Sequence, residues 1–383
     1  MDRPVNPQSP AGDRVAPLRH RDDLIAHGLV RPEDGPLLDE VAARYATAIP
    51  PAFLSLIETP DDPIGLQVIP TPAELTIAPH ERVDPIGDDA LSPVPGIVHR
   101  YADRALLKPL LICPLYCRFC FRREHVGPEG GLLSDDDLNQ AFDWLRARPA
   151  IREVILTGGD PLMLSPRRLR RIMDALTAIP HLETIRLHSR VPMAAPDRMT
   201  AEMLDALETD RAFWMVVHAN HAREFSEAAR AALRAIQRRG IPVLGQSVLL
   251  RGVNDSVPAL EGLLRAMVTA RVKPYYLHQL DPAPGTAHFH VPIHEGRALL
   301  EALRGRVTGL AWPTYVLDIP GGHGKVPIGP NYIGPAGDSV RDPNGVRRTL
   351  GGDVLQESVS EVATYADAGV YTAAERGKTP FTP

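Results

Sequence analysis

Lysine is nearly missing from this chain: only Lys108, Lys273, Lys325 and Lys378 stand among 42 basic residues. Cysteine is scarcer still, with Cys113, Cys117 and Cys120 all inside one short stretch. An odd, clustered set makes no disulfide framework and suits a reducing compartment. No apolar run approaches the length of a membrane span, and Met1 to Leu18 lacks the hydrophobic core of a signal peptide. The expected location is the cytoplasm. A net charge of -5 offers no general attraction to nucleic acid or anionic membrane, and neither is expected as a partner.

What is present suits one large domain with appendages: 383 residues, 44% hydrophobic and 23% charged. Residues 1–20 are rich in Pro, Asp and Arg without periodicity, which reads as a flexible tail. Over 21–98 a small helical region is expected first, because Leu24, Ile25 and Leu29, then Leu37, Leu38, Val41, Ala42 and Tyr45, then Phe53, Leu54 and Ile57 recur at helical spacing. A proline-dense linker or wrap follows from about residue 59. Residues 99–330 carry the main domain. Residues 331–383 read as a hairpin turning at Asp342-Pro343-Asn344-Gly345, then a polar tail.

In the main domain, short aliphatic runs alternate with amphipathic helices. Candidate strands are Leu106 to Ile112, Glu153 to Thr157, Thr184 to His188, Phe213 to His218, Val243 to Leu250, Pro274 to Gln279 and Thr314 to Ile319. Ser134 and Ser165 are helix start signals and Gly240 a stop. This cadence means a parallel sheet, and its length fits a barrel or partial barrel. Chemistry-bearing residues gather where those strands end: Gly158, Gly159 and Asp160, His188 to Arg190, His218 to Asn220, Gln246 and Ser247, His278 to Asp281, and Asp318. Parallel barrels build active sites on that rim. Any one of these residues could be a cap or a satisfied loop residue; together they favour a functional rim.

All three cysteines lie in the stretch from Leu111 to Arg123. Iron–sulfur clusters are held by thiolates, usually four, and a cubane has four irons. Cys-x3-Cys-x2-Cys supplies three, so one iron stays open to chelate a small molecule. The spacing therefore points to chemistry at a cluster. Two blander readings stand beside it: three buried apolar cysteines, or a zinc knuckle completed by His125. The second Cys-x2-Cys knuckle usual in zinc modules is absent. Tyr116, Phe119 and Phe121 could shield a cluster and pack on an adenine ring.

With an aromatic residue before its last cysteine, this string resembles the signature of the radical S-adenosylmethionine superfamily. With Arg122 and Arg123 following, it is similar to the lysine 2,3-aminomutase family, a resemblance running from about residue 90 to about residue 335. The resemblance implies an α/β fold, a radical-SAM partial (β/α) barrel of about six parallel strands, with a helical N-terminal region and a short C-terminal hairpin and tail. It implies a [4Fe-4S] cluster on Cys113, Cys117 and Cys120, S-adenosyl-L-methionine, and pyridoxal 5'-phosphate.

The second concentrated signal is Asp318-Ile319-Pro320-Gly321-Gly322-His323-Gly324-Lys325. Glycine allows close backbone approach, and a lysine amine can bond a carbonyl cofactor. Alone, the string is better read as a simple turn, and it fails the spacing of a nucleotide-binding P-loop. In the family it matches the pyridoxal-lysine motif, which makes Lys325 the catalytic lysine. By the same resemblance, Arg100, Tyr101 and Arg104 contact pyridoxal phosphate. Gly158, Gly159, Asp160, His218 and Gln246 contact S-adenosylmethionine. Arg122 clamps the substrate carboxylate, and Asp281 with Asp318 holds the distal ammonium of lysine. The implied activity is an L-lysine 2,3-aminomutase, an isomerase in which a 5'-deoxyadenosyl radical removes a hydrogen from the β-carbon of pyridoxal-bound lysine. An external reductant such as flavodoxin or ferredoxin would be its partner, and a homo-oligomer is left open.

Departures complicate the assignment. Zinc-binding members carry a cysteine after Arg-Gly-Val-Asn-Asp, where this chain has Ser256, so a structural zinc is not expected and the family's tetramer is in doubt. His278 stands where free-lysine enzymes tend to have tyrosine, which resembles the branch that supplies β-lysine for elongation factor P. That branch tends to lack the carboxylate matched by Asp318. An aminomutase for that branch, or for arginine, is the alternative among enzymes. Outside enzymes the alternatives are an iron–sulfur electron relay or redox sensor, and a zinc-stabilised binding scaffold.

Overall fold

Along Thr184–Ser189 and Val243–Val248, buried residues alternate with half-buried ones, the period at which a strand sends side chains to opposite faces. In the computed structural model, which describes residues 16–128 and 130–355, these segments belong to a nine-stranded sheet hydrogen-bonded in chain order. Its strands are β1 (Ile97–Tyr101), β2 (Arg104–Leu110), β3 (Glu153–Gly158), β4 (Thr184–Ser189), β5 (Ala212–His218), β6 (Val243–Val248), β7 (Lys273–His278), β8 (Thr314–Asp318) and β9 (Lys325–Pro327). β2 to β8 run parallel, and antiparallel β1 and β9 form the two edges. The parallel set is thus all seven candidate strands, one more than the count of about six carried over from the family.

The two faces of this sheet differ in chemistry. Leu107, Leu156, Ile185, Leu187, Met215 and Val217 point outward into the main apolar cluster beneath the helices. Arg186, His188, His218, Gln246 and His278 stand half-buried at alternate positions. A curled sheet with apolar residues outside and charged ones inside encloses a polar bore.

The helices follow their local signals. Ser134 caps Asp135–Arg146 by accepting the N–H of Asp137 at 3.0 Å, and Ser165 caps Pro166–Thr177 by accepting that of Arg168 at 3.3 Å. Ser256 likewise caps Val257–Thr269. On Pro166–Thr177, Leu169, Ile172, Met173 and Leu176 are buried as one stripe. Each such side chain contributes about 2 kcal/mol to holding the helix on the sheet.

Three short helices, Arg21–Ala26, Gly35–Arg44 and Pro51–Leu54, begin the chain's described part. Leu24, Leu29, Phe53, Ile64 and Val68 pack together with Leu115 of the cysteine loop, so this region braces that loop. Of the tail expected over 1–20, residues 1–15 lie outside the described residues. Leu18 is already structured: it is buried and exchanges backbone hydrogen bonds of 3.0 Å each way with Ile49.

The proline-dense stretch has only short helical turns, Gly65–Gln67 and Pro72–Leu75, as expected where the chain lacks N–H donors. Its backbone is tied instead to the barrel loops. Arg82 N–H donates to the Pro282 carbonyl at 2.8 Å, and Gly321 N–H to that of Pro85 at 2.9 Å. Gly87 has φ +70, and a Cβ there would sit 2.8 Å from the nitrogen of Gly322. Two glycines are needed for these backbones to touch.

Residues from Pro330 onward form a separate unit. In it, β10 (Ser339–Arg341) pairs antiparallel with β11 (Arg347–Thr349). The Asp342 carboxylate accepts the N–H groups of Asn344 and Val346 at 2.9 and 3.0 Å, building the turn. The polar tail expected beyond it falls, past residue 355, outside the described residues. Among the described residues no helix is long and apolar enough to cross a membrane.

Candidate active site

β2 leads directly into the cysteine loop, and the end of β3 pins that loop. Gly159 N–H donates to the Leu110 carbonyl at 2.8 Å, and Asp160 N–H to that of Ile112 at 2.9 Å. A Cβ on Gly159 would overlap the Ile112 backbone, so the glycine serves this close approach. Cys113, Cys117 and Cys120 are free thiols. Burial drives Cys113 well above the ordinary thiol range, raises Cys117, and takes Cys120 to about 11. Thiols so placed ionise when a metal binds them, and three clustered sulfurs fit an iron–sulfur cluster. His125 is elsewhere, partly exposed, 3.9 Å from the Asp89 carboxylate. Among the described residues no three Cys, His, Asp or Glu side chains converge as a single ion requires, whereas a cubane spreads its ligands over separate irons.

Next to the thiols lies a buried polar network. The Arg190 guanidinium donates to Cys117 Sγ, to Gln67 Oε1 at 2.6 Å and to Glu224 Oε2 at 3.0 Å. Asn220 Nδ2 donates to the same Gln67 oxygen at 3.0 Å, and Asn220 Oδ1 lies 3.2 Å from His218 Nε2. Burial pushes His218 down to about 3, so its imidazole is neutral. Gln246 is its register partner on β6. The Asp160 carboxylate accepts from Ser189 Oγ at 2.8 Å, Arg190 N at 2.7 Å, Val191 N at 3.0 Å and Leu162 N at 3.1 Å. Its oxygens thus hold the rim of β4, while its backbone N–H holds the cysteine loop.

Lys325 marks the other side of the bore. The β8–β9 hairpin sets it directly opposite Asp318, and its ammonium donates to Asp318 Oδ2. Its Nζ also lies 3.4 Å from His278 Nδ1, which is itself 3.8 Å from Asp318 Oδ2. Tyr101 Oη accepts the backbone N–H of Lys325 at 2.8 Å, and Arg100 approaches Asp318 Oδ1 to 3.6 Å. Arg104 lies over the Tyr101 ring at 3.8 Å and pairs with Asp103 at 2.7 Å. Burial alone would raise the Asp318 carboxyl, but His278 and the Lys325 ammonium outweigh it and hold the group well below the usual carboxylate range. Asp281 has the opposite fate: burial and the like charge of Asp318 push it up to about 7.

Arg122 donates through Nε and Nη2 to a single oxygen of Asp88, at 2.9 and 2.8 Å. Asp88 also faces Arg100 at 3.3 Å and Lys108 at 3.7 Å. Four buried polar atoms on residues of this part of the bore lack protein partners: Arg100 Nε, His188 Nε2, His278 Nε2 and Asp281 Oδ1. Buried polar groups ordinarily find partners. A donor-and-acceptor set left open beside a lysine amine fits a polar carbonyl cofactor with an amino acid attached.

The structure thus brings Arg100, Tyr101, Arg122, Asp281, Asp318 and Lys325 to one side of the bore and the cysteines with His218 and Gln246 to the other. Sequence reasoning missed Gln67, Glu74, Asp88 and Glu224. Glu74 is buried and accepts from Arg118 at 2.6 Å and from Arg123. The available signal was a mismatch of charge: a cysteine loop rich in arginine, and acids scattered through a stretch otherwise taken for linker.

The three-cysteine loop, the parallel rim and the polar bore define a radical SAM protein, and the model of the radical SAM superfamily matches residues 107–261. A second model, described as lysine-2,3-aminomutase, matches residues 300–346, including the Lys325 loop. The L-lysine 2,3-aminomutase of Clostridium subterminale is 42% identical over 288 residues, covering 75% of this chain and 69% of that one. That of Fusobacterium nucleatum is 41% identical, covering 75% and 68%. A glutamate 2,3-aminomutase of Clostridioides difficile is 35% identical over 298 residues, covering 77% and 70%. The chain belongs to the lysine 2,3-aminomutase family. It is an isomerase of an amino acid substrate whose cofactors are a [4Fe-4S] cluster, S-adenosylmethionine and pyridoxal phosphate.

Proposed function

We propose that this enzyme interconverts L-lysine and β-lysine. The observation that carries the reading is Asp281: a buried carboxylate oxygen without a partner, in a bore where Asp318 is already matched to an ammonium. A long substrate with a distal ammonium supplies the missing partner. A glutamate side chain would bring a third carboxylate to two others, which is unfavourable in a desolvated bore.

When bound, the reduced cluster with S-adenosylmethionine supplies a carbon-centred radical, and pyridoxal phosphate supplies the carbonyl group on which the amino nitrogen moves. Cys113, Cys117 and Cys120 would hold the cluster. Gly158, Gly159, Asp160, His218 and Gln246 would hold S-adenosylmethionine, with His218 neutral and able to donate or accept one hydrogen bond. Lys325 would bond the pyridoxal carbonyl carbon, and Arg100, Tyr101 and Arg104 would hold the ring and its phosphate. Arg122 keeps its Nη1 side for the substrate carboxylate, because Asp88 engages only Nε and Nη2. In the structure the Lys325 ammonium stands against Asp318, at the carboxylate where the substrate's distal ammonium would pair with Asp318 and Asp281 together. An external reductant such as flavodoxin or ferredoxin, in the cytoplasm, completes the reading.

The test is an anaerobic incubation of the reconstituted enzyme with lysine, arginine and glutamate in parallel, with β-amino acids read by mass spectrometry. β-Lysine as the dominant product supports the assignment. β-Glutamate or β-arginine alone overturns it.

A further inference from the structure

His278 sits where two requirements meet. Lys325 can bond a carbonyl only after its ammonium gives up a proton, and two groups lie within reach of that nitrogen, Asp318 Oδ2 and His278 Nδ1. The carboxylate is matched to two cations and is a poor proton acceptor. The imidazole is 3.4 Å away, and its other nitrogen, Nε2, is buried without a partner. An imidazole that receives a hydrogen bond at Nδ1 carries its own proton at Nε2, so Nε2 presents an unused N–H to the bore.

We propose that His278 is the proton acceptor for Lys325, a further catalytic residue of this site. One N–H bond of the Lys325 ammonium breaks, its electron pair stays on Nζ, and the proton passes to Nδ1 of His278. The reverse transfer restores the ammonium when Lys325 is released. No oxidant or other reactant enters the step.

The surroundings keep His278 in the unprotonated form that can accept. Facing His278 are Lys325 from β9, Asp318 from β8, Tyr276 from β7 with its ring 5.5 Å away, His188 from β4 and His218 from β5. Burial lowers His278 and the nearby Lys325 charge adds to this, with Asp318 opposing. The ring is therefore neutral and free to accept. Once Lys325 has lost its charge, Asp318 stands beside the new imidazolium and stabilises it. The arrangement is self-consistent: the same carboxylate accompanies the proton before and after it moves.

The inference rests on Lys325 being the lysine that bonds pyridoxal phosphate, and the experiment separates the two. The cofactor-free full chain is mixed with pyridoxal phosphate, quenched with borohydride at timed points, and the adduct on Lys325 is quantified by peptide mass spectrometry across a pH series. His278→Gln and His278→Phe both fill the histidine's space, so either folded variant suffices. At about pH 7 they should form the adduct roughly a hundredfold more slowly than wild type. At strongly alkaline pH the deficit should vanish, because hydroxide then takes the proton from the amine without help. No deficit at neutral pH, or an equal deficit at every pH, overturns the role of His278. An adduct absent from Lys325 in the wild-type chain instead overturns the reading of Lys325 itself.

Discussion

Asp281 gives the sharpest quantitative prediction, because its carboxyl, at about 7, changes charge where the enzyme is handled. A lysine side chain binds its ionised form. Between about pH 6 and about pH 8 the ionised fraction rises from about one tenth to about nine tenths, so lysine affinity should climb about tenfold over that interval. Calorimetric titration of L-lysine into the pyridoxal-loaded enzyme, anaerobic and without S-adenosylmethionine, measures this directly. Norleucine, which has the same carboxylate and no distal ammonium, serves as the control and should bind without that slope. Asp281→Asn should flatten the lysine curve and lower affinity at the alkaline end. The same group has a stability signature of opposite sign. Its folded value is raised above the unfolded value of about 4, so the ligand-free protein loses stability as pH climbs from about 4 through about 7. Asp281→Asn should therefore raise the melting temperature at about pH 8 and leave it nearly unchanged at about pH 4. An identical lysine slope in wild type and Asp281→Asn would refute the reasoning.

Three further outcomes follow from the same geometry. Glu74→Ala leaves the buried guanidiniums of Arg118 and Arg123 facing each other without their shared carboxylate, and should cost about 3–5 kcal/mol in denaturant unfolding; a loss within experimental scatter would mean that the pair is hydrated. Lys325→Ala should abolish the visible absorbance of bound pyridoxal and all turnover while iron content and cluster absorbance stay intact, and full activity would remove Lys325 from the mechanism. Asp318→Asn should weaken lysine binding by about 2 kcal/mol or more with pyridoxal content little changed and norleucine binding unaffected; unchanged lysine affinity would end the ammonium-clamp assignment.

The parallel sheet was legible because its strands obey short-range rules. All seven runs found by aliphatic content coincide with β2 to β8, and the serine caps fall where the pattern places them. The edge strands were not legible. β9 is only Lys325–Pro327, and β1 has just two apolar residues, Ile97 and Val98, before His-Arg-Tyr, so neither carries an apolar run of strand length; both exist because a neighbour offers them a ladder. The cysteine loop and Lys325 stood out because cysteine and lysine are rare here. The proline-dense stretch read as a connection because nothing periodic marks it. Its content is long-range: Glu81 accepts the N–H groups of Gly285, Thr286 and Ala287 at 2.8 to 3.0 Å, partners more than half the chain away.

That stretch has a physical reason to be acidic. The sheet is not closed by backbone pairing, since β1 and β9 are not neighbours in its order. Its edges meet instead through side chains, Tyr101 with the Lys325 backbone and Arg100 with Asp318. A seam made of side chains leaves the bore open for ligands, but it also collects charge. Arg100, Lys108 and Arg122 converge there, and Arg118 and Arg123 lie in the cysteine loop next to it. Buried cations of one sign repel and are costly to desolvate. Asp88 answers the first three and Glu74 the other two. Both acids come from a segment whose irregular backbone can follow the rim because it is not committed to a ladder of its own. The wrap is therefore a wall of the active site: neutralising either acid should alter how the adjoining arginines are aimed, even though no residue of the wrap need touch the substrate.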